Sequence, residues 1–139
     1  MLRDDRQTAL NGAIESCLHA AHVHEDGADR IGEDAAGLRQ LAARRRQDAE
    51  TLAAHLRLLG DLPMEPDPEY EVATDLLSHI KSALAADERG QVLERSQAAE
   101  EALAEALRQA LKQDLAPDCR SAVEEILDSC AKIRWDDLR

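Results

Sequence analysis

The chain has five histidines, and imidazole binds transition metals and exchanges protons near neutral pH. Carboxylate-bridged di-metal centres in helical bundles take a Glu-x-x-His motif from each of two helices, which places both ligands on one helical face. No histidine here has an acidic residue three positions before it; the five are His19, His22, His24, His55 and His79. The sequence therefore lacks the histidine motif of such a centre.

A second group of polar side chains falls on or beside stripes that otherwise carry apolar residues. These side chains are predicted to face the interior: His24, Arg45, Asp48, Gln97, Glu100 and Cys130. If the helix that carries Glu100 runs antiparallel to the first helix, five of them, all except Gln97, share one layer about 9 Å deep. If those two helices are parallel, Cys17 takes the place of His24. Asp48 and Glu100 are neighbours in either arrangement.

Two interpretations of this inward polar group remain open. The first is a metal site in which His24, Asp48 and Glu100, with Cys130 as a further ligand, bind iron, manganese or zinc. The second is a buried polar network in which Arg45 neutralises Asp48 or Glu100. An unpaired buried charge costs several kcal/mol, and an inward arginine opposes cation binding. The sequence therefore favours the network, without a cofactor.

Histidines outside the inward stripes carry a weaker signal. His19 and His22 lie one helical turn apart, with Asp26 one turn beyond, a spacing that can chelate nickel, copper or zinc. All three fall on the predicted outer face, which indicates incidental affinity at a surface. His55 falls near the far end of its helix, where we expect a packed or hydrated imidazole.

Three cysteines without close pairing predict neither a disulfide framework nor a zinc cluster. Cys17 and Cys130 fall on apolar stripes, where a thiol acts as a small hydrophobic group. Cys119 follows Pro117 in the first turn of a helix, and the helix N-terminus there stabilises a thiolate, so a thiol sensor is one alternative. No nucleophile with a positioned base and no glycine-rich phosphate loop is present, which predicts a non-catalytic protein.

Composition and charge narrow the class of protein. The 139 residues carry a net charge of −12, which disfavours binding to nucleic acid and to anionic membrane surfaces. Alanine and leucine dominate the apolar residues, and the chain has no Phe, one Tyr and one Trp, which argues against a sheet. No stretch is apolar enough to cross a bilayer, and the first residues lack the pattern of a secretion signal. We expect a cytoplasmic protein.

Apolar residues recur at steps of three and four, which predicts one all-α domain over residues 1–139. Three of the four prolines fall in residues 61–68, so this stretch is predicted to begin a long crossover that carries a short extra helix. Gly60 is the expected stop of the second helix. The predicted helices cover residues 5–31, 35–59, 69–86, 91–113 and 117–135.

Three stretches give the chain a resemblance to a known family. They are LNGAIESC at residues 10–17, Leu59-Gly60 with IKSAL at residues 80–84, and Val92-Leu93-Glu94 with Glu100-Glu101 and LAPD at residues 115–118. In order and spacing they resemble a family of small, functionally uncharacterised bacterial proteins classed as ferritin-like four-helix bundles. The resemblance covers nearly the whole chain.

This resemblance implies a ferritin-like four-helix bundle with one long crossover. At four inward positions where the family tends to carry an acid or a histidine, this chain has Ala21, Thr51, Gln97 and Arg134, and Glu100 alone matches. The resemblance therefore implies a degenerate di-metal site in a structural or interaction protein, with a role in a stress response by analogy. Trp135 is predicted either to seal one end of the bundle or to contribute to a homodimer contact.

Overall fold

The computed structural model describes residues 4–32, 34–60 and 88–138, and these residues are helical with short connections. No strand occurs among them, so the predicted all-α class is confirmed for this part of the chain. The predicted helix 69–86 and the crossover lie outside the described residues. The elements are α1 (Asp5–Ile31), α2 (Ala36–Leu58), α3 (Glu88–Leu111), α4 (Pro117–Ala131) and a 3-10 helix (Trp135–Leu138).

The ends of α1 and α2 are set by local chemistry. Asp4 and Gln7 form a capping box at the start of α1, in which each side chain accepts a hydrogen bond of 2.8 Å from the other residue's backbone N–H. Beyond α2, Gly60 adopts φ +83°, a left-handed conformation that favours glycine, and its N–H donates to the carbonyl of Arg57. The helix thus ends near the predicted stop.

Two predicted boundaries of the later helices need correction. The helix expected to begin at residue 91 already includes Glu88, Arg89 and Gly90. An acid in its first turn complements the helix dipole, which offsets the propensity cost of Gly90. The last helix, expected to reach residue 135, ends at Ala131 because the Lys132 N–H bonds only three residues back, to Ser129, and the chain then leaves the helical path.

Contacts between helices fix their directions. Arg39 pairs with Asp29, and Gln7 near the start of α1 donates to the carbonyl of Leu59 beyond α2, so α1 and α2 are antiparallel. His24 contacts Glu100, and Gly27 lies against Val92, so α3 is antiparallel to α1 and parallel to α2. Helix α4 returns antiparallel to α3.

The apolar interior consists of two clusters. The larger one runs along the bundle and includes Leu10, Leu52, Leu103 and Ile126. The smaller one lies at the end where α1 turns into α2 and includes Ala28, Ala35, Leu38, Val92 and Leu93. These two clusters lie on either side of the buried polar side chains in α1, α2 and α3.

Close packing of α1 against α3 depends on one glycine. A Cβ atom at Gly27 would lie 2.6 Å from Cγ1 of Val92, so a larger residue here would push the helices apart. Farther along the same pair of helices, one turn before Gly27 and two turns after Val92, His24 and Glu100 are in contact. None of the helices in the described part of the chain combines the length and apolar character needed to cross a lipid bilayer.

Candidate functional site

Arg45 lies at the centre of the buried polar group and is the largest side chain among the fully buried ones, with 0% exposure. Helix α2 supplies Arg45 and, one turn later, Asp48. Helix α1 supplies His24 and α3 supplies Glu100, both buried. Helix α4 contributes Ser129 and Cys130, so side chains of all four helices meet at this point.

One edge of the Arg45 guanidinium faces the Glu100 carboxylate. Nε of Arg45 donates to Oε1 at 3.1 Å and to Oε2 at 2.9 Å, and Nη2 donates to Oε1 at 2.5 Å. Two nitrogens therefore meet two oxygens, the fork geometry in which arginine binds a carboxylate most strongly.

The remaining guanidinium hydrogens are also engaged. Nη1 of Arg45 donates to Oδ2 of Asp48 at 2.8 Å and to Oγ of Ser129 at 2.9 Å. Nη2 lies 3.5 Å from the sulfur of Cys130, which accepts a weak hydrogen bond. All three nitrogens of the buried cation thus have partners, as burial of a charge requires.

His24 closes the network on the α1 side. Its Nε2 lies 3.0 Å from Oε2 of Glu100. The carboxylate held by Arg45 only accepts hydrogen bonds, so Nε2 carries the hydrogen. The other ring nitrogen, Nδ1, is buried and has no hydrogen-bond partner within the described residues. The ring centroid lies 6.5 Å from that of Trp135.

The charges of the network control its protonation. Burial raises the pKa of Glu100, but hydrogen bonds from His24 and Arg45 outweigh it and hold the pKa of this carboxyl below its ordinary value. Burial opposes the charge of Arg45, yet Glu100 and Asp48 raise the pKa of the guanidinium. Glu100 and Arg45 therefore remain an ion pair at neutral pH.

The three thiols all have their pKa raised chiefly by burial. The pKa of Cys130 rises to about 12, with a further contribution from Glu100, and the pKa of Cys17 rises by burial and by the charge of Asp48. Cys119 is 5% exposed, and burial raises its pKa as well, against the smaller opposing effect of Arg120. Each thiol is thus protonated at neutral pH.

Most of the side chains predicted to face inward belong to one connected network. The structure has the antiparallel arrangement of the two alternatives, and it joins His24, Arg45, Asp48, Glu100 and Cys130 by hydrogen bonds. Gln97 is half-buried and instead lines a groove of about 590 Å³ between α3 and α4, together with Glu100, Cys130 and Trp135.

The residues proposed as metal ligands do not share a free space. His24 contacts Oε2 of Glu100, whereas Asp48 contacts Nη1 of Arg45, so the guanidinium lies between the ligands of the proposed site. In residues 4–32, 34–60 and 88–138 no three His, Cys, Asp or Glu side chains are grouped to hold a metal ion. The donor set and the buried cation do not fit a di-metal centre.

The outer histidines are arranged differently from a chelating trio. His19, His22 and Asp26 are each half-buried, and Asp26 pairs with Arg30 at 3.1 Å and with Arg95 at 3.5 Å. Two cations therefore already compensate the carboxylate of this group.

Sequence reasoning did not identify Ser129 as a member of the network. Its hydroxyl donates to the carbonyl of Ile126 at 2.5 Å and accepts from Arg45. The spacing from Ile126 to Ser129 is three residues, which places both on one helical face and is the signal that would have found it.

Comparisons with protein-family models, with curated proteins and with solved structures found no match for this chain.

Proposed function

We propose that this protein is a ferritin-like four-helix bundle that acts as a non-catalytic structural or interaction module. In this proposal a buried arginine network replaces the di-metal centre. By analogy with the family that its sequence resembles, its cellular role is in a stress response. Its partner is a second copy of the chain, in a homodimer, or a different protein. The observation that carries the proposal is the Arg45 guanidinium, fully buried between Glu100 and Asp48.

The directions of the described helices support the ferritin-like part. Helix α2 ends beside the start of α1, where Gln7 bonds the Leu59 carbonyl, and α3 begins beside the end of α1, where Val92 meets Gly27. Among the described helices α2 and α3 follow one another in the chain and run parallel, as in a bundle with one long crossover, whereas successive helices of an up-down-up-down bundle are antiparallel.

The chemistry of Arg45 supports the non-catalytic part. A guanidinium supplies the positive charge that a metal would bring. It has no open coordination position, and it keeps its proton near neutral pH and so cannot act as an acid or a base. The carboxylates that face it are neutralised and hydrogen-bonded, so neither is left to act as a base. Such a network fixes the register of helices more readily than it performs a reaction.

A thiol sensor through Cys119 has less support. Sensor thiols are exposed and have a lowered pKa, whereas Cys119 is buried and its pKa is raised. A metal-binding function through His24, Asp48 and Glu100 requires that Arg45 leave its place, because its guanidinium bonds both carboxylates.

Elemental analysis of untagged protein tests the proposal. Protein from cells grown with added iron, manganese and zinc is expected to contain each metal far below one ion per chain. Glu100→Ala removes the buried carboxylate, and Glu101→Ala, at an exposed neighbour in the same helix, is the matched control. Stoichiometric metal in the unaltered chain and in Glu101→Ala, lost in Glu100→Ala, would overturn the proposal.

The interaction part is tested separately by light scattering coupled to size exclusion. The expected result is a mass that grows with concentration toward that of a dimer. A strict monomer at high concentration excludes the homodimer and leaves a different protein as the partner.

A further inference from the structure

The 3-10 helix Trp135–Leu138 is joined to α4 by residues 132–134, which are not helical. Trp135 and Leu138 pack against the smaller apolar cluster, at the end where α1 turns into α2. The segment thus covers one end of the bundle instead of extending α4.

Trp135 lies over the buried network on the His24 side. Its ring is half-buried and its centroid is 6.5 Å from that of His24. The same side chain lines the groove that also reaches Glu100 and Cys130. Removal of Trp135 from this position would open a path for water to the imidazole and would widen the access to the thiol, which is already partly exposed.

The Leu138 side chain packs directly against Gly37 and occupies the space that a larger side chain there would need. A Cβ atom built on Gly37, in the first turn of α2, would overlap the end of the Leu138 side chain. On its other side Arg89, in the first turn of α3, donates from Nη1 to the carbonyl of Leu138 at 3.0 Å. The segment is therefore docked at a defined place on both α2 and α3.

The segment is held less firmly than the helices it covers. None of its four residues is fully buried, whereas α4 buries Cys119, Val123 and Ile126. A 3-10 helix of one turn has little stability of its own, so these docking contacts decide its position. Undocking also gives the buried Nδ1 of His24 access to water as a hydrogen-bond partner, which offsets part of the lost apolar contact.

From these contacts we propose that residues 135–138 form a latch. The latch closes the His24 side of the network and opens while the four helices stay folded. When it is closed, Trp135 keeps water and small solutes from His24 and narrows their access to Cys130, which is partly exposed. When it is open, His24 becomes accessible and the exposure of Cys130 increases. This inference concerns access to the network and does not depend on the ferritin-like assignment.

Gly37→Val tests the latch because the added side chain occupies the place of Leu138. Ala43→Val, at an exposed position of the same helix, is the matched control for the cost of a β-branched residue. Trp135 is the one tryptophan of the chain, so its fluorescence reports the latch directly. Gly37→Val is expected to shift the emission to longer wavelength and to raise acrylamide quenching severalfold, with circular dichroism at 222 nm equal to that of Ala43→Val.

Alkylation of the thiols, located by peptide mass spectrometry, gives a second measurement. In Gly37→Val, Cys130 is expected to react severalfold faster than in Ala43→Val, while Cys17 stays unreactive. Leu138→Ala, which leaves α2 unchanged, is expected to act in the same direction. Unchanged quenching in both latch variants would overturn the proposal, and so would an increase that appears only with loss of helical signal or with equal exposure of Cys17.

Discussion

Replacement of Arg45 by methionine is the perturbation with the largest expected effect on this fold. The variant keeps most of the side-chain volume but removes the partners of Glu100, Asp48 and Ser129. Glu100 then remains buried as a charge with only His24 beside it. Removal of one partner of a buried ion pair costs about 3–5 kcal/mol, a large part of the roughly 5–15 kcal/mol that stabilises a typical domain.

Arg46 provides the matched control for this experiment. It forms a similar two-pronged pair with Glu25, at 2.7 and 2.8 Å, but the two side chains are 48% and 41% exposed. Arg46→Met is therefore expected to lower the free energy of unfolding by less than about 1 kcal/mol, as solvent screens an exposed pair. The two arginines share a two-pronged pair with a glutamate, and they differ in burial and in the further bonds of Arg45 to Asp48 and Ser129.

Urea denaturation followed by circular dichroism gives both free energies of unfolding. We expect Arg45→Met to be less stable than Arg46→Met by several kcal/mol. Arg45→Met/Glu100→Met should recover part of the loss because Glu100 is then no longer a buried unpaired charge, whereas buried Asp48 still lacks its cation. Equal, small losses in the two single variants would refute the claim that Arg45 neutralises the interior. Failure of the double variant to recover would show that the loss arises from packing or from Asp48 and not from Glu100.

Three further predictions concern the protonation of Glu100, the burial of Leu56 and the reactivity of Cys119. The pKa of Glu100 is below its ordinary value in the folded protein, so the stability that ionised Glu100 contributes is present above the ordinary carboxyl range and is lost as pH falls through the folded pKa. In Arg45→Met only His24 opposes the effect of burial on Glu100, so protonation of Glu100 should relieve the variant as pH falls. The difference in free energy of unfolding between Arg45→Met and the unaltered chain should therefore shrink from pH 7 to pH 5 in urea melts, and a constant difference would contradict this. Leu56 is fully buried and Leu58 is 83% exposed. In the same assay Leu56→Ala should lower the free energy of unfolding by about 2–5 kcal/mol and Leu58→Ala by less than about 0.5 kcal/mol. Similar losses in the two variants would show that the interior is misassigned. Native Cys119 should be alkylated much more slowly than a small free thiol because burial raises its pKa, and a faster reaction would support the thiol sensor instead.

The spacing of the apolar residues predicted most of the fold, because helices with an apolar stripe at steps of three and four bury that stripe by packing into a bundle. It also placed Arg45, Asp48 and Glu100 on inward stripes, where the structure has all three buried. The direction of α3 relative to α1 was open, since both directions bury the same stripe. The contact of Gly27 with Val92 shows which of the two directions is present.

The residue at which α4 ends could not be predicted from the sequence pattern, for a different reason. Its inward stripe continues through Ile133, so the pattern alone extends the helix to Trp135. Packing of Trp135 and Leu138 against the cluster at the α1–α2 turn overrides that local preference, and such a contact involves residues far apart in the sequence. Ser129 was missed because serine on a helix is commonly exposed, although its spacing from Ile126 places it on the inward face; its hydrogen bond from Arg45 shows its role.

Diffraction data recorded at the iron, manganese and zinc absorption edges, on crystals grown with those metals present, test the central claim most directly. We predict a guanidinium of Arg45 bridging Glu100 and Asp48, with no anomalous peak among the four helices. An anomalous peak bound by His24, Asp48 and Glu100, with Arg45 turned away, would contradict the claim that the interior is neutralised by arginine.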